Sequence, residues 1–120
     1  MEFVQKIIEC DTPTVNGRVY TKEAFQESLD ENKNLFGYMV PETSFDCSVE
    51  KVAFALKDYY WEDNTLFGKF EVLDTPCGRV LDSLINATKE PLDISPVGFG
   101  MVNSNNEVYD YTLMSFCVSN

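Results

Sequence analysis

The alternation of apolar and polar positions predicts a domain in which strands outnumber helices. Near the amino terminus, Val4, Ile7 and Ile8 punctuate a stretch that is typical of a strand. Two later stretches flank the turn at 62–64: the first is rich in β-branched and aromatic residues and the second alternates strictly, which predicts a hairpin. A polar turn at 103–106 separates two more stretches of this kind. The predicted strands are residues 3–9, 49–61, 65–73, 92–102 and 108–118.

Two segments carry the signals of helices instead. Thr21 can cap a helix that runs to about residue 32, in which Phe25 and Leu29 lie four apart on one face. Later, Thr75 and Pro76 supply an N-cap and a first-turn proline for a helix over 76–87. The second helix is expected to lie on the sheet through an apolar stripe at helical spacing, formed by Val80, Leu81, Leu84 and Ile85.

The order of these elements predicts the fold class. The 120 residues suffice for one domain, so residues 1–120 are taken as a single unit with the order β-α-β-β-α-β-β. Asn16-Gly17 marks an exposed loop, and Gly37 and Pro41 mark a region that breaks regular structure. We expect an α+β domain with a curled, mostly antiparallel, barrel-like sheet flanked by two helices.

The charge balance excludes several classes of partner. Nine Lys and Arg face 20 Asp and Glu, which gives a net charge of −11. Such a chain is not expected to bind nucleic acid through phosphate contacts or to bind an anionic membrane. It also shows neither a signal peptide nor an apolar run long enough for a membrane span, so we expect it to be soluble where it is made.

The residue types available restrict the chemistry further. The chain contains no histidine, which removes the imidazole as acid, base or metal ligand. Its cysteines are widely spaced and form no Cys-x-x-Cys pair, so neither a zinc site nor a dithiol redox site is predicted. We therefore expect no metal and no cofactor, and expect reduced thiols at Cys10, Cys47, Cys77 and Cys117.

One segment could carry catalytic chemistry. Ser95 lies on a predicted strand and is followed by Pro96, Gly98 and Gly100. This arrangement could present a hydroxyl beside unpaired backbone N–H groups, which is the geometry of an oxyanion hole. It could equally be a kinked strand in which the two glycines allow a bulge. The residues of this segment alone leave both interpretations open.

Taken in order, the segments resemble the prohead, or head maturation, serine proteases of tailed bacteriophages, which are related in fold to herpesvirus assemblin. The Asn-Gly-Arg-x-Tyr turn of that family is matched by Asn16, Gly17, Arg18 and Tyr20. Its Thr-Pro-x-Gly helix start is matched at 75–78, and Leu84 and Ile85 match its Leu-Ile pair. Its nucleophile segment, Ile/Val-Ser-x-x-Gly-x-Gly, is matched by Ile94, Ser95, Gly98, Phe99 and Gly100.

The resemblance also exposes two departures. Val40 falls where the family carries its catalytic histidine, and Phe54 falls where a second histidine often stands. Valine cannot accept a proton, and an unassisted serine hydroxyl is a poor nucleophile at neutral pH. Ser95 is then expected to be a vestigial nucleophile, close in space to Val40 in a site walled by Met39 and Phe54. Lys51, Lys57 and Lys89 lie in polar or acidic neighbourhoods where an amine stays charged, and the carboxylate of Glu42 is too weak a base for an alcohol, so none of the four is expected to replace the histidine.

The resemblance implies a phage protein that is not an enzyme: a pseudoprotease acting as a structural or accessory component of the capsid or prohead. Its partners would be capsid or scaffold proteins, bound in several copies in the host cytoplasm during assembly and in the virion head. One alternative is an active prohead serine protease that uses Ser95 with an unrecognised base. A second alternative, suggested by the net charge of −11, is an acidic phage protein that inhibits a host nucleic-acid-binding protein.

Overall fold

A computed structural model describes residues 1–31, 35–39, 51–88 and 92–119 of the chain. These residues form seven strands and two helices. The elements are β1 Glu2–Glu9, β2 Val19–Tyr20, α1 Lys22–Glu31, β3 Phe36–Tyr38, β4 Val52–Glu62, β5 Thr65–Val72, α2 Pro76–Ala87, β6 Asp93–Val102 and β7 Glu107–Ser119.

The strands form a single curled sheet in the order β1-β5-β4-β3-β7-β2, with β6 also paired to β7. Because β6 follows β7 from Val108 to Ser119, β2 and β3 share the other edge of β7, and both pair with it in parallel. The remaining pairs are antiparallel. Strands β1 and β6 contact each other, although no backbone pairing joins them in the described residues. This contact shows that the sheet is curled into a half-barrel. The predicted α+β class and curled, mostly antiparallel sheet are confirmed.

Aromatic rings fill the interior of this half-barrel. Phe70 packs edge to face against both Phe54 and Phe116, and it stacks on Phe3 of β1 with ring centroids 5.4 Å apart. Phe54, Phe70 and Phe116 are fully buried. These rings come from four different strands, so the apolar face of each strand contributes to one core.

Helix α1 closes a gap in the sheet. The Thr21 hydroxyl accepts a hydrogen bond from the Ala24 backbone N–H, and Phe25 and Leu29 are buried as predicted. Between the short strands β2 and β3, no described strand pairs with that edge of β7, and there the backbone N–H of Leu113 donates to the buried hydroxyl of Ser28 at 2.6 Å. A helix side chain thus replaces a strand carbonyl.

Helix α2 begins as predicted but presents a narrower buried face. The Thr75 hydroxyl caps it by accepting from the Gly78 N–H. Leu81 is fully buried and Ile85 packs against the core, whereas Val80 is 53% and Leu84 43% exposed. The prediction that all four stripe residues are buried is wrong for Val80 and Leu84. A side chain on Gly78 would meet the carbonyl oxygen of Leu73, so the first turn of the helix lies directly against the chain that follows β5.

The two shortest strands, β2 and β3, are not predicted from the sequence. The sequence indicates a structural break around Gly37, yet Phe36–Tyr38 forms β3 and joins β4 to β7. A side chain on Gly37 would occupy the position of the Phe54 ring, so this glycine makes room for a core residue. The predicted continuation of the first helix to residue 32 and the start of the second predicted strand at 49–50 lie outside the described residues. Neither helix of the described part of the chain is long and apolar enough to cross a membrane.

Candidate functional site

Ser95 lies on the outer face of the half-barrel. Its neighbour Ile94 belongs to the buried core, and Pro96 lines a pocket with Ile8 of β1. Because side chains alternate along a strand, Ser95 points to the opposite side from Ile94. The Ser95 residue is half-buried there, and it is paired across the ladder with Cys117 of β7.

The same register continues from Cys117 to Tyr38 of β3. Two strand spacings of about 4.8 Å place Tyr38 roughly 10 Å from Ser95, measured between Cα atoms. Tyr38 comes two residues before Val40, the predicted position of the lost base. Val40, with Glu42, Cys47 and Lys89, lies outside the described residues. The predicted approach of Val40 to Ser95 therefore stays a prediction.

The thiol of Cys117 is unreactive, although Cys117 is the cross-strand partner of Ser95. The residue is 5% exposed, and burial raises the pKa of its thiol above the ordinary value. The thiol is therefore protonated at neutral pH. It neither serves as a thiolate nucleophile nor accepts a proton from Ser95.

The structure separates Phe54 from Ser95. Phe54 pairs with Gly37, Gly37 with Phe116, and Phe116 with Pro96, so Phe54 belongs to the inner row that contains Pro96. The expectation that Phe54 walls the site of Ser95 is not met. Its ring is instead required in the core, where it packs against Phe70 and fills the space above Gly37.

The lysines of the described strands serve other contacts. Lys57 pairs with Glu71 on β5, with 3.2 Å between the ammonium nitrogen and the carboxylate oxygen. Lys51 is exposed just before β4, and β4 is three strands away from β6 in the sheet. Neither lysine faces Ser95 across a strand pair. Within the described residues, no group of three or more His, Cys, Asp or Glu side chains is placed to hold a metal ion.

The fold brings two separate sequence motifs together beside this strand. A pocket of about 200 Å³ is lined by Arg18 and Tyr20 from the first motif and by Gly98, Phe99 and Gly100 from the second. The sequence showed each motif but not their contact. The motifs meet because β2 pairs with the amino-terminal end of β7, whose other edge carries β6.

A second pocket, of about 320 Å³, lies next to the same strand. It is lined by the loop before β2, with Asn16 and Val15, and by Ile8 and Pro96. The Asn16 side-chain oxygen accepts from the backbone N–H of Arg18, which holds this loop in a turn. The Asn-Gly-Arg-x-Tyr turn thus borders both pockets around the Ser95 strand.

The glycines after Ser95 serve close packing. The ladder of β6 and β7 shifts register between Val97 and Gly98 and again between Phe99 and Met101. Each time β7 supplies the extra residue, so the bulges lie on β7 and not, as the bulge interpretation placed them, in the glycine segment of β6. A side chain on Gly98 would meet the carbonyl oxygen of Thr112 and lie 2.6 Å from the Tyr111 hydroxyl. Gly98 therefore lets β6 follow β7 closely past the Tyr111 ring.

Comparison with known proteins supports the fold. No family model and no curated protein sequence matches the chain. Among solved structures, the chain superposes on the bacteriophage T4 capsid assembly protease, gp21, with a TM-score of 0.84 and 16% identical residues. The match covers 98% of this chain and 79% of that chain. At this identity the likeness establishes a fold shared with a phage capsid assembly protease.

The prediction that the chain is not an enzyme is therefore wrong. That prediction depends on Val40 standing where the family carries its catalytic histidine, whereas the structure that the chain matches along 98% of its length is that of a capsid assembly protease. A missing imidazole excludes one kind of proton acceptor and not the reaction, because serine nucleophiles also work with lysine as the base.

Proposed function

We propose that this chain acts in the assembly of a phage capsid as a peptidase, with Ser95 as its nucleophile. Its partners in this role are capsid or scaffold polypeptides, bound by several copies of the chain in the host cytoplasm while heads assemble. One observation carries the proposal: Ser95 stands on the outer face of a fold that matches a capsid assembly protease over 98% of the chain.

The reaction sets requirements on the surroundings of Ser95. The serine oxygen attacks the peptide carbonyl while its proton passes to an acceptor, which later protonates the leaving amine. In this chain the acceptor is a carboxylate or an amine. The candidates are Glu42, three residues after Met39 in the sequence, and Lys89, three residues before Leu92. Loss of hydration would raise the pKa of such a carboxyl or lower that of such an amine toward neutrality.

Covalent labelling tests the nucleophile directly. The purified chain is treated with a fluorophosphonate, and the modified residue is located by mass spectrometry. We expect label on Ser95, no label in Ser95→Ala, and full label in Ser104→Ala, a serine in the exposed turn between β6 and β7. Absence of label on Ser95 in the folded chain, together with no cleavage of fluorescent casein, would refute the proposal.

Two further variants identify the proton acceptor. Glu42→Gln and Lys89→Met remove the ionisable group with little change in size. We expect one of the two to slow labelling of Ser95 at least 100-fold, in line with the effect of general bases elsewhere. The pH dependence of labelling should then follow the titration of that group in the parent chain.

A further inference from the structure

An exposed apolar surface continues from Ser95 along the outer face of β6. Val97, Phe99 and Met101 follow Ser95 at every second position, and Tyr109 of β7 is paired with Met101. We call these four residues the outer strip. Phe99 is 55%, Met101 57% and Tyr109 41% exposed, whereas Val97, which lies next to Ser95 on this face, is half-buried. When large apolar side chains are exposed next to one another on a soluble protein, they commonly mark a binding surface.

The outer strip is held on a well-formed hairpin. The Asn103 side-chain oxygen accepts from the backbone N–H groups of Asn105 and Glu107, and Asn106 takes the left-handed conformation with φ of 62°. Backbone pairing of β6 with β7 continues on both sides of the turn. The exposed side chains therefore belong to a preorganised surface, which binds a ligand at a lower entropic cost than a loop would.

The charges beside the outer strip indicate what it binds. β6 and β7 carry Asp93, Glu107 and Asp110, and residues 92–119 contain no lysine or arginine, so Arg18, which lines a pocket with Phe99, meets an excess of carboxylates here. We propose that the outer strip binds an extended polypeptide segment that combines apolar with basic side chains, and that it guides this segment to Ser95. The inference rests on the proposed function and names its substrate class. From Ser95 to Met101 the strand spans about 20 Å, or roughly six substrate residues.

A second copy of the chain fits this surface less well. Pairing two outer strips would bring Glu107 and Asp110 of one copy near those of the other, in molecules that each carry a net charge of −11. Like charges at an interface oppose association. A basic segment instead neutralises these carboxylates while its apolar side chains cover Phe99 and Met101.

Synthetic peptides test the chemistry of the occupant. The probe is a fluorescein-labelled ten-residue peptide of alternating leucine and lysine, a pattern that favours an extended strand. One comparison peptide alternates leucine with glutamate and the other alternates serine with lysine. By fluorescence anisotropy, we expect the leucine–lysine peptide to bind at least tenfold more tightly than either comparison peptide.

Matched variants locate the binding surface. Phe99→Ser combined with Met101→Ser should weaken binding of the leucine–lysine peptide at least tenfold, and Tyr109→Ser alone at least threefold. The control combines Val80→Ser with Leu84→Ser, because these side chains of α2 are similarly exposed but lie on another element. It should bind within twofold of the parent chain. Asp110→Asn removes a charge at a position with φ of 50°, which asparagine tolerates, and should weaken binding and lower its salt dependence.

Specific results would overturn the inference. Equal binding by the parent chain and by both outer-strip variants would show that the peptide binds elsewhere, as would equal losses in the α2 control. A dimer in sedimentation that Phe99→Ser with Met101→Ser dissociates would show that a second copy occupies the strip. The binding experiments need no catalysis, so loss of Ser95 labelling with retained peptide binding would refute the proposed function alone.

Discussion

Cys10 shows how burial sets the chemistry of a single side chain in this fold. The residue is fully buried at the end of β1, and its backbone N–H donates to the carbonyl of Asn64 at 2.8 Å. Burial, and then the charge of Asp11, raise the pKa of its thiol from 9.0 to about 12. At neutral pH Cys10 is a small apolar core residue, as the sequence predicts for the cysteines of this chain.

This raised pKa makes stability depend on alkaline pH. Between about pH 9 and 12 the thiol loses its proton in the unfolded chain but keeps it in the folded chain. Ionisation therefore stabilises the unfolded state relative to the folded state in this range. The stabilisation is complete below pH 9 and is lost as the pH rises. We expect Cys10→Ser, which cannot ionise, to show a shallower decline than the parent chain, by up to about 1.4 kcal/mol per pH unit. Urea unfolding at pH 8 to 10.5 measures both slopes, and parallel curves would contradict this expectation.

The hydroxyl of Ser28 links α1 to β7 through a hydrogen bond. Its oxygen accepts from the buried N–H of Leu113, so removing it leaves a backbone donor without that partner. We expect Ser28→Ala to lower the free energy of unfolding by about 1 to 3 kcal/mol. Ser83→Ala is the matched control, since Ser83 lies on the exposed side of α2 and donates only to its own helix at Arg79.

Urea denaturation compares the two serine variants. The Ser83→Ala value should stay within about 0.5 kcal/mol of the parent chain. If both variants lost the same free energy of unfolding, the loss would come from placing alanine in a helix. The hydrogen bond between Ser28 of α1 and Leu113 of β7 would then contribute nothing to stability. The sequence predicts that α1 buries Phe25 and Leu29, but a serine that substitutes for a missing strand is evident only once β2 and β3 are placed.

At the scale of elements, α2 separates what the sequence predicts from what it does not. Thr75 and Pro76 are local signals that act within one turn, and the helix starts where they indicate. The buried face depends instead on the sheet beneath, and there Gly78 and Leu81 make the close contact. The spacing of apolar residues identifies a helix but leaves open which of them reach the core.

A pair of leucines on α2 tests this geometry. We expect Leu81→Ala to cost about 2 to 5 kcal/mol in unfolding free energy, because it leaves a cavity in the core. Leu84→Ala should cost less than about 1 kcal/mol, since its side chain is 43% exposed. Chemical denaturation of both variants provides the comparison. A larger loss at Leu84 than at Leu81 would mean that the helix is rotated relative to the structure described above.

The site combines residues that the sequence could identify with others that it could not. Ser95, Arg18 and Gly98 stand in recognisable motifs: Ser95 and Gly98 lie on β6, and Arg18 lines a pocket with Gly98. The match of motifs predicts Phe54 at the site, but a shift of one residue along a strand moves a side chain to the opposite face of the sheet. The register of four strands, which only the folded sheet fixes, assigns Phe54 to the core and Ser95 to the surface.

At the scale of the whole molecule, a net charge of −11 is carried by a chain of only 120 residues. Its four ion pairs among described residues join side chains that are 40% or more exposed. Such pairs contribute about 0 to 1 kcal/mol each. The excess of acidic residues repels itself over the whole surface, and this repulsion acts against the compact state. Self-repulsion should therefore outweigh the ion pairs in the response to salt.

We accordingly expect the melting temperature to rise as NaCl increases from 20 mM to 0.5 M, because the screening length falls from roughly 20 Å to about 4 Å. Glu27 and Glu31 stand four apart on α1, where like charges repel. Glu27→Gln combined with Glu31→Gln should melt higher than the parent chain at 20 mM NaCl, and this difference should shrink at 0.5 M. Differential scanning calorimetry measures all four conditions. If salt instead lowered the melting temperature of the parent chain, its exposed ion pairs would have to contribute more than the repulsion among its excess carboxylates.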